Sequence, residues 1–285
     1  MYPDYVTDAR LRKAIKDALA EDIGPGDYTS LSSVPSNAVR SAKLLFKEEG
    51  IAAGLELAGF IFKQVDKTLK VEFHKIDGDE VKKGDVGFIV TGPAQSILRA
   101  ERLVLNCMQR MCGIATLTRE YVRQISHTRA KLLDTRKTTP NFRIFEKWAV
   151  RIGGGQNHRF GLYDMILLKD NHIDYAGGVR KAILNTVKYL HDNHLDLKIE
   201  IEVRNLEELK QVIDTGKVNR ILLDNMLLSV MAEAIKMVNR QYETEASGGV
   251  NINTIKSIAE TGVDFISVGK ITHSFKSMDI SLKAV

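Results

Sequence analysis

From Lys131 onward the chain alternates short apolar runs with longer stretches of helical periodicity, and this order restricts the fold more than any other feature. The runs are Lys131–Asp134, Met165–Leu168, Lys198–Val203, Arg220–Leu223, Tyr242–Ala246 and Phe265–Val268. Between them, Val179–His191, Leu206–Thr215, Leu228–Asn239 and Thr254–Thr261 space their apolar residues as helices do. Runs this short suit strands covered on both faces. Strands that recur after helices lie parallel, joined by right-handed crossovers. Six of them make an open sheet or a barrel short of the usual eight strands.

The earlier part of the chain follows another pattern. Asp8–Ala20 places Leu11, Ala14, Ile15 and Leu19 on one helical face and stops at the acidic, turn-rich segment Glu21–Asp27, which reads as a connector. Ala38–Phe46 reads as a strand and Leu55–Val65 as an apolar helix. Gly-Asp turns at Gly78–Asp79 and Gly84–Asp85 separate short β-rich runs. Ser96–Gln124 reads as one long helix, and the domain boundary falls near it. Residues Ile280–Val285 read as a strand that pairs back onto the first domain.

Composition narrows the function classes. The 285 residues carry a net charge of +5. The excess is mild, with no long basic run and no RNA-binding aromatic motif, so nucleic acid is not the expected partner. No apolar stretch is long enough to cross a membrane. The segment MYPDYVTDARLRK lacks the apolar core of a signal peptide, and Cys107 and Cys112 point to different sides of their helix. Both features fit buried thiols in a reducing cytoplasm.

Charge is concentrated between Leu132 and His172, where seven Lys or Arg stand against four Asp or Glu. Arg136 and Lys137 follow the first apolar run, and Lys169 and Asp170 follow the second. Between them lie the triplet Gly153–Gly154–Gly155 and then Asn157–His158–Arg159. α/β proteins place their sites just past the C-terminal ends of parallel strands. Cations gathered there repel one another unless an anion joins them, so the pattern points to a pocket for a small polyanion. Later strands add to it. Glu200 and Glu202 share one face of their run, and Glu202 suits a metal or a ribose hydroxyl. Asp224 closes the apolar run Ile221–Leu223. Ser247–Gly248–Gly249 and, one strand later, Gly269 offer bare backbone N–H groups to phosphate. A phosphate cradle, acids suited to Mg²⁺ or ribose, and a cation cluster for a multiply carboxylated or pyrophosphate-bearing partner together describe phosphoribosyl transfer to an acidic acceptor.

These stretches resemble a known family. TRKTTPNFR, AVRIGGGQNHRFGLYDMILLKDNH, IEVRNLEEL, LLDNM, EASGGVN and VGKITHS are similar to quinolinate phosphoribosyltransferase (nicotinate-nucleotide pyrophosphorylase, carboxylating). EDIGPGDYTS and AERLVLNCMQRMCGIAT match the family's N-terminal motifs, so the similarity runs from about Glu21 to Ser274. The resemblance implies an α/β protein with an N-terminal open-faced α/β sandwich over residues 1–114 and an incomplete barrel of parallel strands over 115–274, with residues 275–285 packing back. It implies a homodimer, with higher oligomers left open, in which Arg102 reaches into the neighbour's site. The implied reaction converts quinolinate and phosphoribosyl pyrophosphate to nicotinate mononucleotide, pyrophosphate and CO₂, with Mg²⁺ as cofactor, in NAD biosynthesis. By the same resemblance Arg102, Arg136, His158, Arg159 and Lys169 hold quinolinate. Lys137 lies at the junction with the pyrophosphate-bearing substrate, Glu202 and Asp224 face ribose and Mg²⁺, and Ser247, Gly248, Gly249 and Gly269 hold a phosphate. Lys137, Lys169, Glu202 and Asp224 are the expected catalytic groups. A paralogue of the same fold linked to molybdate transport is the nearest alternative, and the intact Lys169–Asp170–Asn171–His172 block argues against it. Magnesium-dependent pyrophosphate release would separate catalysis from a phosphate-binding module without it.

Overall fold

A computed structural model describes residues 3–285. They form two compact units that interleave along the chain: residues through Arg119 with Thr138–Gly154 and Ile271–Val285, and residues Glu120–Lys137 with Gly155–Lys270.

The first unit opens with α1 (Asp8–Ile23), whose start is fixed by the Thr7 side chain accepting the Arg10 N–H. The helix runs past Ala20 to Gly24, so part of the segment read as a connector is helical. Asp27 in turn caps α2 (Tyr28–Ser33). Strand β1 (Val39–Phe46), the short β2 (Gly50–Ile51), α3 (Leu55–Val65), β3 (Lys70–Phe73), β4 (Glu80–Val81) and β5 (Val86–Pro93) follow. Both Gly-Asp turns form, with Gly78 and Gly84 at positive φ and each aspartate accepting a backbone N–H three residues before it. Buried Leu57, Ile61 and Phe62 of α3 lie on the core side, and the Phe62 and Phe88 rings meet edge to face at 5.6 Å.

The long helix α4 (Ala94–Ile125) follows. Its Cys107 and Cys112 are buried free thiols, both pushed up to about 12 by burial. A helix within the glycine- and cation-rich segment, α5 (Arg143–Ile152), also belongs to the first unit. Its Glu146 is fully buried and accepts the Arg110 Nε–H of α4 at 2.8 Å and the Thr139 N–H at 3.2 Å. At its end, a Cβ on Gly153 would stand 2.6 Å from the Ala115 carbonyl oxygen, so the helix closes against the α4 backbone. In their contacts, therefore, residues 138–154 group with the first unit, although they lie within the sequence span read as the second domain.

The second unit carries β6 (Lys131–Leu133), β7 (Ile166–Leu168), α6 (Asp170–Ala176), α7 (Val179–Asp192), β8 (Ile199–Val203), α8 (Leu206–Thr215), β9 (Arg220–Asp224), α9 (Leu228–Val238), β10 (Glu243–Ser247), α10 (Ile255–Glu260), β11 (Phe265–Ser267) and α11 (Lys270–His273). Every strand read from the apolar runs is present. Six parallel strands lie in the order β6-β11-β10-β9-β8-β7. Strand β8 is buried along its whole length, as a strand covered on both faces must be. The chain ends with β12 (Ile280–Ala284), antiparallel to β1 and at the edge of the sheet β12-β1-β5-β3 of the first unit. Among the described residues no helix is long and apolar enough to cross a membrane.

Candidate active site

Register decides which side chains share a face of the parallel sheet. Residues paired across parallel strands point the same way. Glu200 pairs with Arg220, Glu202 with Leu222, Glu245 with Leu222 and Ser247 with Asp224. One face therefore holds all of these side chains, and their contacts, rather than their pairing level, divide it into two tiers. The upper tier, at the C-terminal strand ends, contains Glu202, Asp224 and Ser247. The lower contains Glu200 and Glu245, both fully buried.

The upper tier continues into the loops. Lys169, one residue past β7, places its Nζ 3.5 Å from Glu202 Oε2. The rest of the Lys169–Asp170–Asn171–His172 block builds a helix start: His172 Nδ1 accepts the Lys169 N–H at 3.0 Å and caps α6. Asp224 accepts the Asn225 amide at 2.7 Å. Asn225 is left-handed, and its N–H reaches the Ser247 carbonyl at 2.9 Å. Gly248 is required here, because a Cβ on it would stand 2.1 Å from Asn225 Oδ1. Around Gly249 there is open space, so its backbone is accessible. Gly269 stands between β11 and α11.

Electrostatics separate the two sides of this tier. Burial raises the Glu202 carboxyl; Lys169 opposes the shift, while Asp224 and Asp170 reinforce it. Such a set of hard oxygens fits Mg²⁺, whose charge would relieve this repulsion. On the other side, burial lowers Arg159, and the charge of neighbouring Arg136 lowers it further. Two guanidinium groups held against their own repulsion invite an anion. Arg136 and Lys137 are exposed, and the Lys137 N–H is tied to Thr135 Oγ1 at 3.0 Å.

Two expected residues differ from the rest in their setting. Arg102 is exposed on α4 in the first unit, whereas Arg136, Lys137, His158, Arg159, Lys169, Glu202, Asp224, Ser247, Gly248, Gly249 and Gly269 all belong to the second. His158 turns into the lower tier, with Nε2 2.9 Å from Glu200 and 3.5 Å from Glu245. Glu245, Arg220 and Asp134 were not singled out from the sequence. Arg220 spans Glu243 and Glu245 at 3.1 and 3.0 Å, and Asp134 accepts the Asn157 amide at 2.6 Å and the His158 N–H at 2.8 Å. The alternation of Glu243 and Glu245 was a visible signal for the first pair. Asp134 offered only its place at the end of an apolar run.

Comparison with known proteins gives this geometry a family. Residues 114–283 match the family described as quinolinate phosphoribosyl transferase, C-terminal domain, and residues 27–112 match its N-terminal domain. The chain belongs to the quinolinate phosphoribosyltransferase family. It is 47% identical over 288 residues to quinolinate phosphoribosyltransferase [decarboxylating] 2b, mitochondrial, of Nicotiana tabacum, covering 96% of this chain and 82% of that protein. It is 41% identical to the probable nicotinate-nucleotide pyrophosphorylase [carboxylating] of Bacillus subtilis, covering 96% and 93%. The solved nicotinate-nucleotide pyrophosphorylase of Francisella tularensis superposes with a TM-score of 0.91 at 39% identity, covering 98% of each chain. The α/β architecture of this family, with an antiparallel sheet and an incomplete barrel of parallel strands, is thus shared by the present chain.

Proposed function

We propose that this chain transfers the phosphoribosyl group of phosphoribosyl pyrophosphate to quinolinate with loss of CO₂, giving nicotinate mononucleotide and pyrophosphate. The observation that carries the reading is the division of one strand-end tier into a cationic side, Arg136, Arg159 and Lys169, and an acidic side, Glu202 and Asp224, beside the Ser247–Gly249 turn. The cationic side suits the two carboxylates of quinolinate. Lys137 lies where the two substrates meet. Ser247, Gly248, Gly249 and Gly269 present backbone N–H groups to the 5-phosphate.

Glu202 and Asp224 would hold Mg²⁺ and the ribose hydroxyls, and the ion when bound offsets charge on the departing pyrophosphate. As the C1–O bond of the ribose breaks, positive charge grows at C1, and the carboxylates of Glu202 and Asp224 favour it. The pyridine nitrogen of quinolinate then bonds to C1 and becomes cationic. The cationic nitrogen stabilises the electron pair left on the adjacent ring carbon when its carboxylate leaves as CO₂, and that carbon then takes a proton from water. Lys169, paired with Glu202, links the two halves of the site. The protein mainly holds two anions in one place and in line.

Arg102, exposed on α4, is available to a second copy, and we assign it to the partner's quinolinate pocket in a homodimer. The buried free thiols suit a reducing compartment such as the cytoplasm. The test is release of CO₂ and pyrophosphate from quinolinate plus phosphoribosyl pyrophosphate, with and without Mg²⁺, with nicotinate as control acceptor. Stoichiometric, Mg²⁺-dependent release with quinolinate alone is expected. A folded protein that turns over nicotinate, or neither acid, refutes the assignment.

A further inference from the structure

We infer that Asp134 is a positioning residue: its buried carboxylate clamps the Gln156–Arg159 turn to the end of β6 and so brings Arg136 and Arg159 together, two mutually repelling cations set for one dianion. The inference rests on the assignment of both arginines to quinolinate. Asp134 is fully buried, so it acts through the groups it holds. Its Oδ1 accepts the His158 N–H at 2.8 Å, and its Oδ2 accepts the Asn157 amide at 2.6 Å. Backbone bonds run beside these two. The Gln156 N–H donates to the Leu132 carbonyl at 2.8 Å, and the Asp134 N–H donates to the Gln156 carbonyl at 3.2 Å. Leu133 and Gln156 form a parallel bridge, so the turn is laid along β6 on the side away from β11.

This short ladder explains why the two arginines meet. Arg136 lies two residues past Asp134, and Arg159 lies two residues past Asn157. Parallel segments fastened at 134 and 157 deliver the residues two positions further on to neighbouring places. The charge of Arg136 lowers Arg159, as such closeness requires. Their repulsion works to part the two segments before any anion arrives. The carboxylate opposes it with two charge-assisted bonds, and the Arg159 guanidinium is held from its far side by the Met165 carbonyl at 3.2 Å. Asp134 also serves the fold, because a buried backbone N–H left without a partner is costly. Positioning is distinguished from that service by an effect confined to one substrate.

Two substitutions test the clamp. Asp134→Leu keeps the size and removes both acceptors. Asp134→Asn keeps an oxygen for the His158 N–H, and its own amide N–H meets the Asn157 oxygen once that amide turns over. Steady-state kinetics of both are compared with the unsubstituted enzyme. D134L is expected to raise the quinolinate KM about 10- to 100-fold with the phosphoribosyl pyrophosphate KM within about 2-fold, and D134N to stay within about 3-fold for both. A D134L enzyme with a normal quinolinate KM, an equal rise for both substrates, or D134N as impaired as D134L overturns the inference. If D134L does not fold, Asn157→Ala, which removes one arm of the clamp, takes its place: a rise of about 3- to 10-fold confined to quinolinate is expected, and no selective rise overturns the inference. A further measurement needs no variant: hydrogen exchange of the His158 amide, read by NMR of the unliganded chain. Slow exchange is expected, and exchange as fast as that of an open loop refutes the clamp. If the unsubstituted enzyme never turns over quinolinate, the proposed reaction fails, while the exchange result still decides whether Asp134 holds the turn.

Discussion

Alanine at Gly248 should damage the phosphate turn in two separable ways. The glycine has φ +91°, where an L side chain is strained by about 1–2 kcal/mol. A Cβ would also stand 2.1 Å from Asn225 Oδ1 and 2.3 Å from its Cγ, so that side chain must leave its place. Leaving breaks the 2.7 Å bond from the Asn225 amide to Asp224, worth about 1 kcal/mol where both groups are partly solvated. The sum is roughly 2–3 kcal/mol. If the transition state feels all of it, kcat/KM falls about 30- to 160-fold. The phosphoribosyl pyrophosphate KM should rise more than the quinolinate KM, because the proposed function sets Asp224 and the turn against the ribose phosphate. The control is Gly249→Ala. That glycine has φ +59° with no neighbour near its added Cβ, so strain of about 1 kcal/mol is the whole local effect. Urea unfolding and initial rates for both variants decide the matter. Equal effects at the two positions, or a Gly248→Ala enzyme with normal stability and turnover, would refute the clash argument.

Further outcomes follow from other positions. Arg136→Ala should lose on the order of 2–4 kcal/mol of transition-state binding, read as kcat/KM for quinolinate, and near-normal turnover would remove it from the carboxylate pocket. Glu245 has its carboxyl raised from 4.5 to about 7, by burial first and then by Glu200. The folded chain therefore keeps a proton that the unfolded chain has released across that window. Stability linked to this group is complete below about pH 4.5 and declines by roughly 3 kcal/mol as pH rises to about 7. Glu245→Gln should flatten that slope, and urea midpoints at acid and neutral pH that change equally in both proteins count against it. Gly113→Ala gains about 1 kcal/mol of helix propensity but sets a Cβ 2.2 Å from the Lys276 carbonyl oxygen, so a net loss of about 1–2 kcal/mol is expected. A rise in melting temperature would show that the 275–278 segment yields freely.

The parallel sheet was legible because each of its strands is a short apolar run followed by a helix signal, and the strand ends then located the site. The charged stretch was harder to read. Within it, Arg143–Ile152 forms a helix whose Glu146 and Lys147 are fully buried, which inverts the usual link between charge and exposure. No periodicity rule anticipates a buried acid whose partner, Arg110, lies in a different helix. His158 was named from its motif neighbours, but its direction depends on Glu200 and Glu245, which come together only through the register of β8, β9 and β10. Pairwise register between distant strands is not written in any local window. Arg102 is a different case. The role proposed for it depends on a second copy of the chain, and a single chain's pattern of apolar residues carries no trace of one.

The pairing of β12 with β1 has a consequence for the order in which the protein can be made. Strand β1 is synthesised well before its antiparallel neighbour, Ile280–Ala284. All six strands of the parallel sheet emerge before it. Until then β1 presents an open row of backbone donors and acceptors along the edge that β12 will occupy. The growing chain thus carries an unprotected sheet edge until β12 is made, and slow translation between the two strands prolongs the period in which that edge can pair with another nascent chain.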